Sequence, residues 1–192
     1  MPGQGQIVVV RHGETEWSLA GKHTSSTDLS LTSEGRHRAA MLRDLLAGRS
    51  FSLVLSSPLR RALETCELAG FREGAVITDD LREWNYGDYE GLTTPQIRER
   101  DPSWNLWRDG CPGGERPEDV GRRVDRVLDV LRAAEGDAIA FAHGHVLRVL
   151  SARWIGMEPA AGSRLLLSAG AMCVLGFERE TAVLALWNRT PE

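Results

Sequence analysis

Short apolar runs alternate along the chain with stretches in which apolar residues recur every three or four positions. The runs at 6–10, 52–56, 75–78 and 137–142 are bounded by polar or turn-forming residues, which predicts buried strands. Two further runs, 171–178 and 182–188, flank Glu178-Arg179-Glu180-Thr181 and predict a hairpin, so the sheet is expected to be mixed and mostly parallel. Helical periodicity covers 33–47, 58–70, 94–101, 117–134 and 145–156. In 117–134, Val120, Val124, Val127, Leu128 and Leu131 share one face, with arginines and aspartates elsewhere. Ser57-Pro58 predicts a helix start, a capping hydroxyl followed by proline at the first helical position. This alternation of strand and helix is that of a layered α/β domain.

Composition narrows the class. At 192 residues, 42% hydrophobic and 26% charged, the chain suits one globular domain over 1–192. The net charge of −4 argues against nucleic acid or an anionic membrane as partner, so an anionic substrate would need a local basic pocket. Lys22 is the only lysine. Cys66, Cys111 and Cys173 are odd in number and widely spaced, which fits a reducing compartment and neither a disulfide framework nor a zinc site. The first residues carry no basic leader and the following apolar run is short, so a cytoplasmic location is expected.

Three irregular stretches remain, 13–32, 79–93 and 102–116. Long loops inside a compact domain are commonly functional, and these are expected to rim a site. Four of the six tryptophans fall in them: Trp17, Trp84, Trp104 and Trp107. Core packing accounts for most of these, and one or two could roof the site.

The candidate chemistry sits where strands end. Arg11-His12-Gly13-Glu14 follows the first strand, and His143-Gly144-His145 follows the fourth, at the edge where open α/β sheets place ligands. A neutral imidazole at His12 is a competent nucleophile at phosphorus, splitting one difficult displacement into two. Arg11 offers a guanidinium fork for phosphate oxygens. The second motif opens a helix whose free amide N–H groups favour an anion. A metal-binding pair at His143 and His145 is the competing reading, but no third ligand is evident. Arg60 and Arg61 begin the helix after the second strand. Neighbours on a helix are about 100° apart, so only one can face the site, and Arg60 is expected to. Glu83, between Arg82 and Trp84 and close to Tyr86, is the candidate proton donor, because desolvation among aromatics favours the protonated acid. Asp88 and Glu90 read as surface acids.

Together, R-H-G-E-T at 11–15, S-P-L-R-R-A at 57–62, E-W-N-Y-G at 83–87 and H-G-H at 143–145 resemble the histidine phosphatase superfamily, which includes the cofactor-dependent phosphoglycerate mutases. The resemblance runs from Ile7 to about Phe177. It implies a three-layer α/β/α sandwich of phosphoglycerate mutase-like form and a phosphohistidine on His12. It also implies a phosphate pocket of Arg11, Arg60, His143 and Gly144, with Glu83 as acid and then base. Thr24, Ser25 and Tyr86 would line the entrance. Where many relatives read H-T-G, this chain has His23-Thr24-Ser25, and Ser18 stands where the mutases carry asparagine.

A mutase must return its phosphoryl group to a second hydroxyl and keep water out. The long insertion that mutases carry after the acid loop is missing from 92–115, and the mutases read H-G-N where this chain has H-G-H. Both departures favour water as acceptor. The expected activity is metal-independent, cofactor-free hydrolysis of a small phosphorylated metabolite, in the branch of broad-specificity acid phosphatases. The alternatives are a mutase and a non-catalytic phosphosite-binding module. Oligomeric state is open, with a homodimer as the lean the resemblance gives.

Overall fold

The computed structural model describes residues 5–191; Met1–Gln4 and Glu192 lie outside the described residues. Six strands form one sheet in the order β3-β2-β4-β1-β5-β6. They are β1 (Ile7–Arg11), β2 (Leu53–Ser56), β3 (Val76–Ile77), β4 (Ala138–Ala142), β5 (Met172–Glu178) and β6 (Thr181–Arg189). The first four run parallel, and β5 and β6 are antiparallel. The hairpin turns where expected, with Arg179 in the left-handed region at φ 55.

The strand residues alternate between two cores, and that alternation makes the three layers. Val8, Val10, Ile139 and Phe141 pack against α2 (Ser33–Leu45) and α3 (Arg60–Leu68) through Leu42, Cys66 and Ala69, the residue that ends α3. Ile7, Val9, Ala138, Ala140 and Ala142 face the other way, onto α6 (Pro117–Arg132) and α7 (Gly144–Trp154). The α6 face read from the sequence is the one buried, Val120, Val124, Val127, Leu128 and Leu131 among it. Full burial of such a side chain contributes about 1.5–3 kcal/mol. All three cysteines are free and buried. Among the described residues, no helix is long and apolar enough to cross a membrane.

Three helices are short: α1 (Glu16–Leu19) and α5 (Leu106–Asp109) within the irregular stretches, and α4 (Thr94–Arg100) between two of them. Of these, only α4 was legible from periodicity. Helix α3 begins two residues later than expected. Its cap is Leu59, and the Ser57 hydroxyl, which accepts from the Leu59 N–H at 3.3 Å, is turned towards His143 instead.

Candidate active site

The register of the sheet assembles the centre. Arg11 pairs with Ala142 and Ser56 with Phe141, so His12, Ser57 and His143 leave adjacent parallel strands side by side. The His12 N–H donates to the Ala142 carbonyl, and the Ser57 N–H to the Phe141 carbonyl, both at 2.9 Å. The imidazoles of His12 and His143 lie 5.1 Å apart, centroid to centroid.

Hydrogen bonds fix the protonation of each ring. His12 Nδ1–H donates to its neighbour's carbonyl, Gly13 O, at 2.6 Å, leaving Nε2 with its lone pair free. Burial, then the charges of Arg61 and Arg11, hold the His12 imidazole well below its usual pKa, so it stays neutral although the Gly13 carbonyl pulls the other way. His143 Nδ1 accepts from Arg61 Nε at 3.1 Å, so its proton is on Nε2, which donates to Ser57 Oγ at 2.7 Å. Burial and Arg61 keep that ring neutral too.

Gly13 is required by close approach. A Cβ there would stand 2.6 Å from the Gly35 carbonyl oxygen, and one on Gly35 would stand 2.3 Å from that of Glu14. The loop after β1 is thereby pressed against the start of α2. From the other side, Thr65 ties it to α3: its hydroxyl accepts from the Gly13 N–H at 3.0 Å and donates to the Arg61 carbonyl at 2.7 Å. Gly144 serves Arg11, because a Cβ at 144 would lie 3.2 Å from the guanidinium carbon. Arg11 donates to the Leu167 carbonyl at 2.5 Å, and its buried Nε has no protein partner.

The expectation for Arg60 is overturned. Arg60 points to solvent and pairs with Glu64 at 2.7 Å, while Arg61 is buried beside His143. Besides His143, the Arg61 guanidinium donates to the carbonyls of Thr27 and Thr24, both at 3.1 Å, and of Ser25 at 3.4 Å. The reason is the phase of the helix. Arg61, Ala62, Thr65 and Cys66 form its buried stripe, and Arg60 continues the polar one through Glu64 and Glu67.

Glu83 is buried at the start of α7. Its carboxylate accepts three backbone N–H groups, from Trp84 at 2.9 Å, His145 at 3.0 Å and Val146 at 2.9 Å. The aromatic wall read from the sequence is there, with Trp84 and Tyr86 both buried, but polar donors reach the group as well. The residues around it are clamped. Arg123 pairs with both oxygens of Glu115 and donates to the carbonyls of Asp80 and Arg82, while Glu115 accepts from the Asn85 N–H.

A cleft of about 250 Å³ opens from Arg11 and His12. Thr15, Ser18, Gly21, Lys22, His23, Thr24, Tyr86, Thr94 and His145 complete its lining. Thr24 and Tyr86 thus stand at the entrance, and Ser18 lines the cleft with them. Ser25 does not line it: its N–H and hydroxyl are spent on the carboxylate of Glu90, which also takes the Thr27 N–H. Glu90 is therefore the clasp of the entrance loop and no free surface acid.

His23 and His145 were missed as lining residues. His145 Nδ1 pairs with the Tyr86 hydroxyl at 2.6 Å, and His23 stacks on the Tyr86 ring at 4.8 Å. His143 and His145 therefore serve different partners and do not converge as a chelating pair. From behind, Trp104 packs on His23 and Trp107 on His145, so the 102–116 stretch backs the cleft wall and does not line it. Burial lowers both rings, His23 to about 4 and His145 well below its usual value with help from Arg148.

The profile of the histidine phosphatase superfamily (branch 1) matches residues 7–190. The chain belongs to that superfamily. Within it, the chain is 41% identical to an acid phosphatase of Mycobacterium tuberculosis, over 94% of this chain and 92% of that protein. A 2,3-bisphosphoglycerate-dependent phosphoglycerate mutase of Cytophaga hutchinsonii stands further off, 31% identical over 86% of this chain and 84% of the mutase. In three dimensions, the histidine phosphatase fold seen here is similar to a solved open-reading-frame product of Mycobacterium tuberculosis. That likeness has a TM-score of 0.93 at 38% identity, and covers 98% of this chain and 99% of the other.

Proposed function

We propose that this protein is a phosphomonoester hydrolase acting on a small phosphorylated metabolite through a phosphohistidine on His12. The observation that carries the reading is the Nδ1–H bond from His12 to the Gly13 carbonyl. It leaves Nε2 unprotonated at the inner end of the cleft, beside Arg11. Nε2 attacks phosphorus in line as the ester oxygen departs. Arg11 and Arg61 stabilise the charge on the equatorial oxygens, and the His143 Nε2–H is a third donor if it turns from Ser57 to the phosphoryl group. Glu83 gives its proton to the leaving alkoxide and then takes one from the water that cleaves the phosphohistidine. Three backbone N–H bonds fix its carboxyl group at the start of α7.

Arg60 has no part in this scheme, and Arg61 takes the place assigned to it. The acid phosphatase relative and the short 92–115 segment favour water as the acceptor over a second substrate hydroxyl. The test is rapid quenching with a radiolabelled phosphate ester. The wild type should carry acid-labile label on protein, and His12→Ala should carry none and lose turnover. Full turnover in His12→Ala ends the proposal. Conversion of 3- to 2-phosphoglycerate faster than phosphate release would replace hydrolysis with isomerisation.

A further inference from the structure

The charges around the cleft are unevenly distributed. Arg11 occupies its inner end beside His12, with Arg61 behind. The sides are formed by Tyr86 and the neutral imidazoles of His23 and His145. The remaining cation is Lys22, the one ammonium side chain in the sequence, next to exposed Ala20 and Gly21.

Lys22 is held in place. Its N–H donates to the Trp17 carbonyl at 2.9 Å, its own carbonyl accepts from Thr24 Oγ1 at 3.1 Å, and it bridges to Thr93 across the loop. The ammonium lies 5.1 Å from the centroid of the Trp17 ring, a cation–π distance. Trp17 is itself fixed by Gly91, where an added Cβ would meet the ring at 3.1 Å. Among the described residues, no ion pair includes Lys22. Arg82, Arg98 and Arg148 are engaged elsewhere. Arg82 pairs with Asp79, Arg98 donates to the Trp104 carbonyl, and Arg148 donates to the carbonyls of Gly162 and Ser163.

Lys22 lines the cleft and has no acidic partner among the described residues, so an ester with a second anionic group would supply one. We propose that Lys22 is the subsite for a second anionic group of the substrate, a carboxylate or a second phosphate, and that the preferred substrates are small phosphate monoesters carrying one. This rests on the hydrolase reading above. The cleft volume of about 250 Å³ keeps such substrates to metabolite size. A charge-assisted contact of this kind changes affinity by about 10- to 100-fold.

The experiment compares phosphate release from glycerol 3-phosphate, 3-phosphoglycerate, a sugar bisphosphate and p-nitrophenyl phosphate in the wild type, Lys22→Met and Lys22→Arg. The wild type should favour 3-phosphoglycerate or the bisphosphate over glycerol 3-phosphate by about tenfold or more in kcat/KM. Whichever of the two is favoured identifies the anion. Lys22→Met should lose that preference through KM, and Lys22→Arg should keep most of it. A wild type without the preference, or a preference intact in Lys22→Met, overturns the proposal while release from p-nitrophenyl phosphate leaves the hydrolase reading standing. No release from any ester overturns both.

Discussion

The inner end of the cleft and its mouth are built on different principles. The inner end is made by the sheet. His12, Ser57 and His143 take their places from strand register, and Arg61 is anchored by bonds to one ring and three carbonyls. The mouth is made by the loop from Thr15 to Thr24, closed on itself by local bonds such as the reciprocal pair between Thr15 and Ser18. Substitution in the first region disturbs several elements at once. In the second it alters one local turn. On the proposed scheme, the reaction falls to the sheet edge and the choice of substrate to the loop.

The sharpest way to break that division is the adjacent pair Arg60 and Arg61. Arg61→Ala should lower kcat/KM about 10³-fold in folded protein, since it removes a buried charge beside the reacting group. Arg60→Ala should stay within about threefold, because an exposed ion pair contributes little. Equal losses would mean that burial does not separate their roles.

A smaller effect tests the acid. In kcat/KM, which reports the steps up to release of the alcohol, Glu83→Gln should slow esters of poor leaving groups about 10²-fold and p-nitrophenyl phosphate only a few-fold, since nitrophenolate departs without a proton. The same loss on both would move the acid role to another group.

A separate test concerns the rings that are kept neutral. His12, His143 and His145 have folded-state pKa values well below the ordinary 6.5, and His23 is at about 4. The unfolded chain therefore binds more protons below about pH 6.5, and stability held at higher pH is lost as the pH falls towards the folded values. Each such ring contributes about 1.4 kcal/mol per pH unit within that window. Denaturant midpoints should be level from about pH 8 to 7 and fall from about 6.5 to 4.5. A level midpoint down to pH 4.5 would show that these imidazoles charge in place.

Much of the fold was legible because strands and long helices bury whole periodic faces. The apolar runs located all six strands, and α6 declared its buried stripe residue by residue. Short helices α1 and α5 were not legible, being single turns held by capping bonds from Thr15 and Asn105. At the site, His12, Arg11, His143 and Glu83 could be read because each lies in or beside a recognisable strand end or motif. Arg61 was available too: continuing the stripe through Ala62, Thr65 and Cys66 places it inward, and attention to the first turn alone hid this. The roles of Ser25 and Glu90 were not available, because a contact across 65 positions leaves no local pattern.

The bond from His12 Nδ1–H to the Gly13 carbonyl has an evolutionary corollary. The choice of which ring nitrogen keeps its lone pair is stored in the main chain, which point mutations do not rewrite as long as the loop keeps its path. Descendants of this sequence are thus at liberty to vary the residues from Ser18 to Thr24, and the free nitrogen of the ring is inherited unchanged.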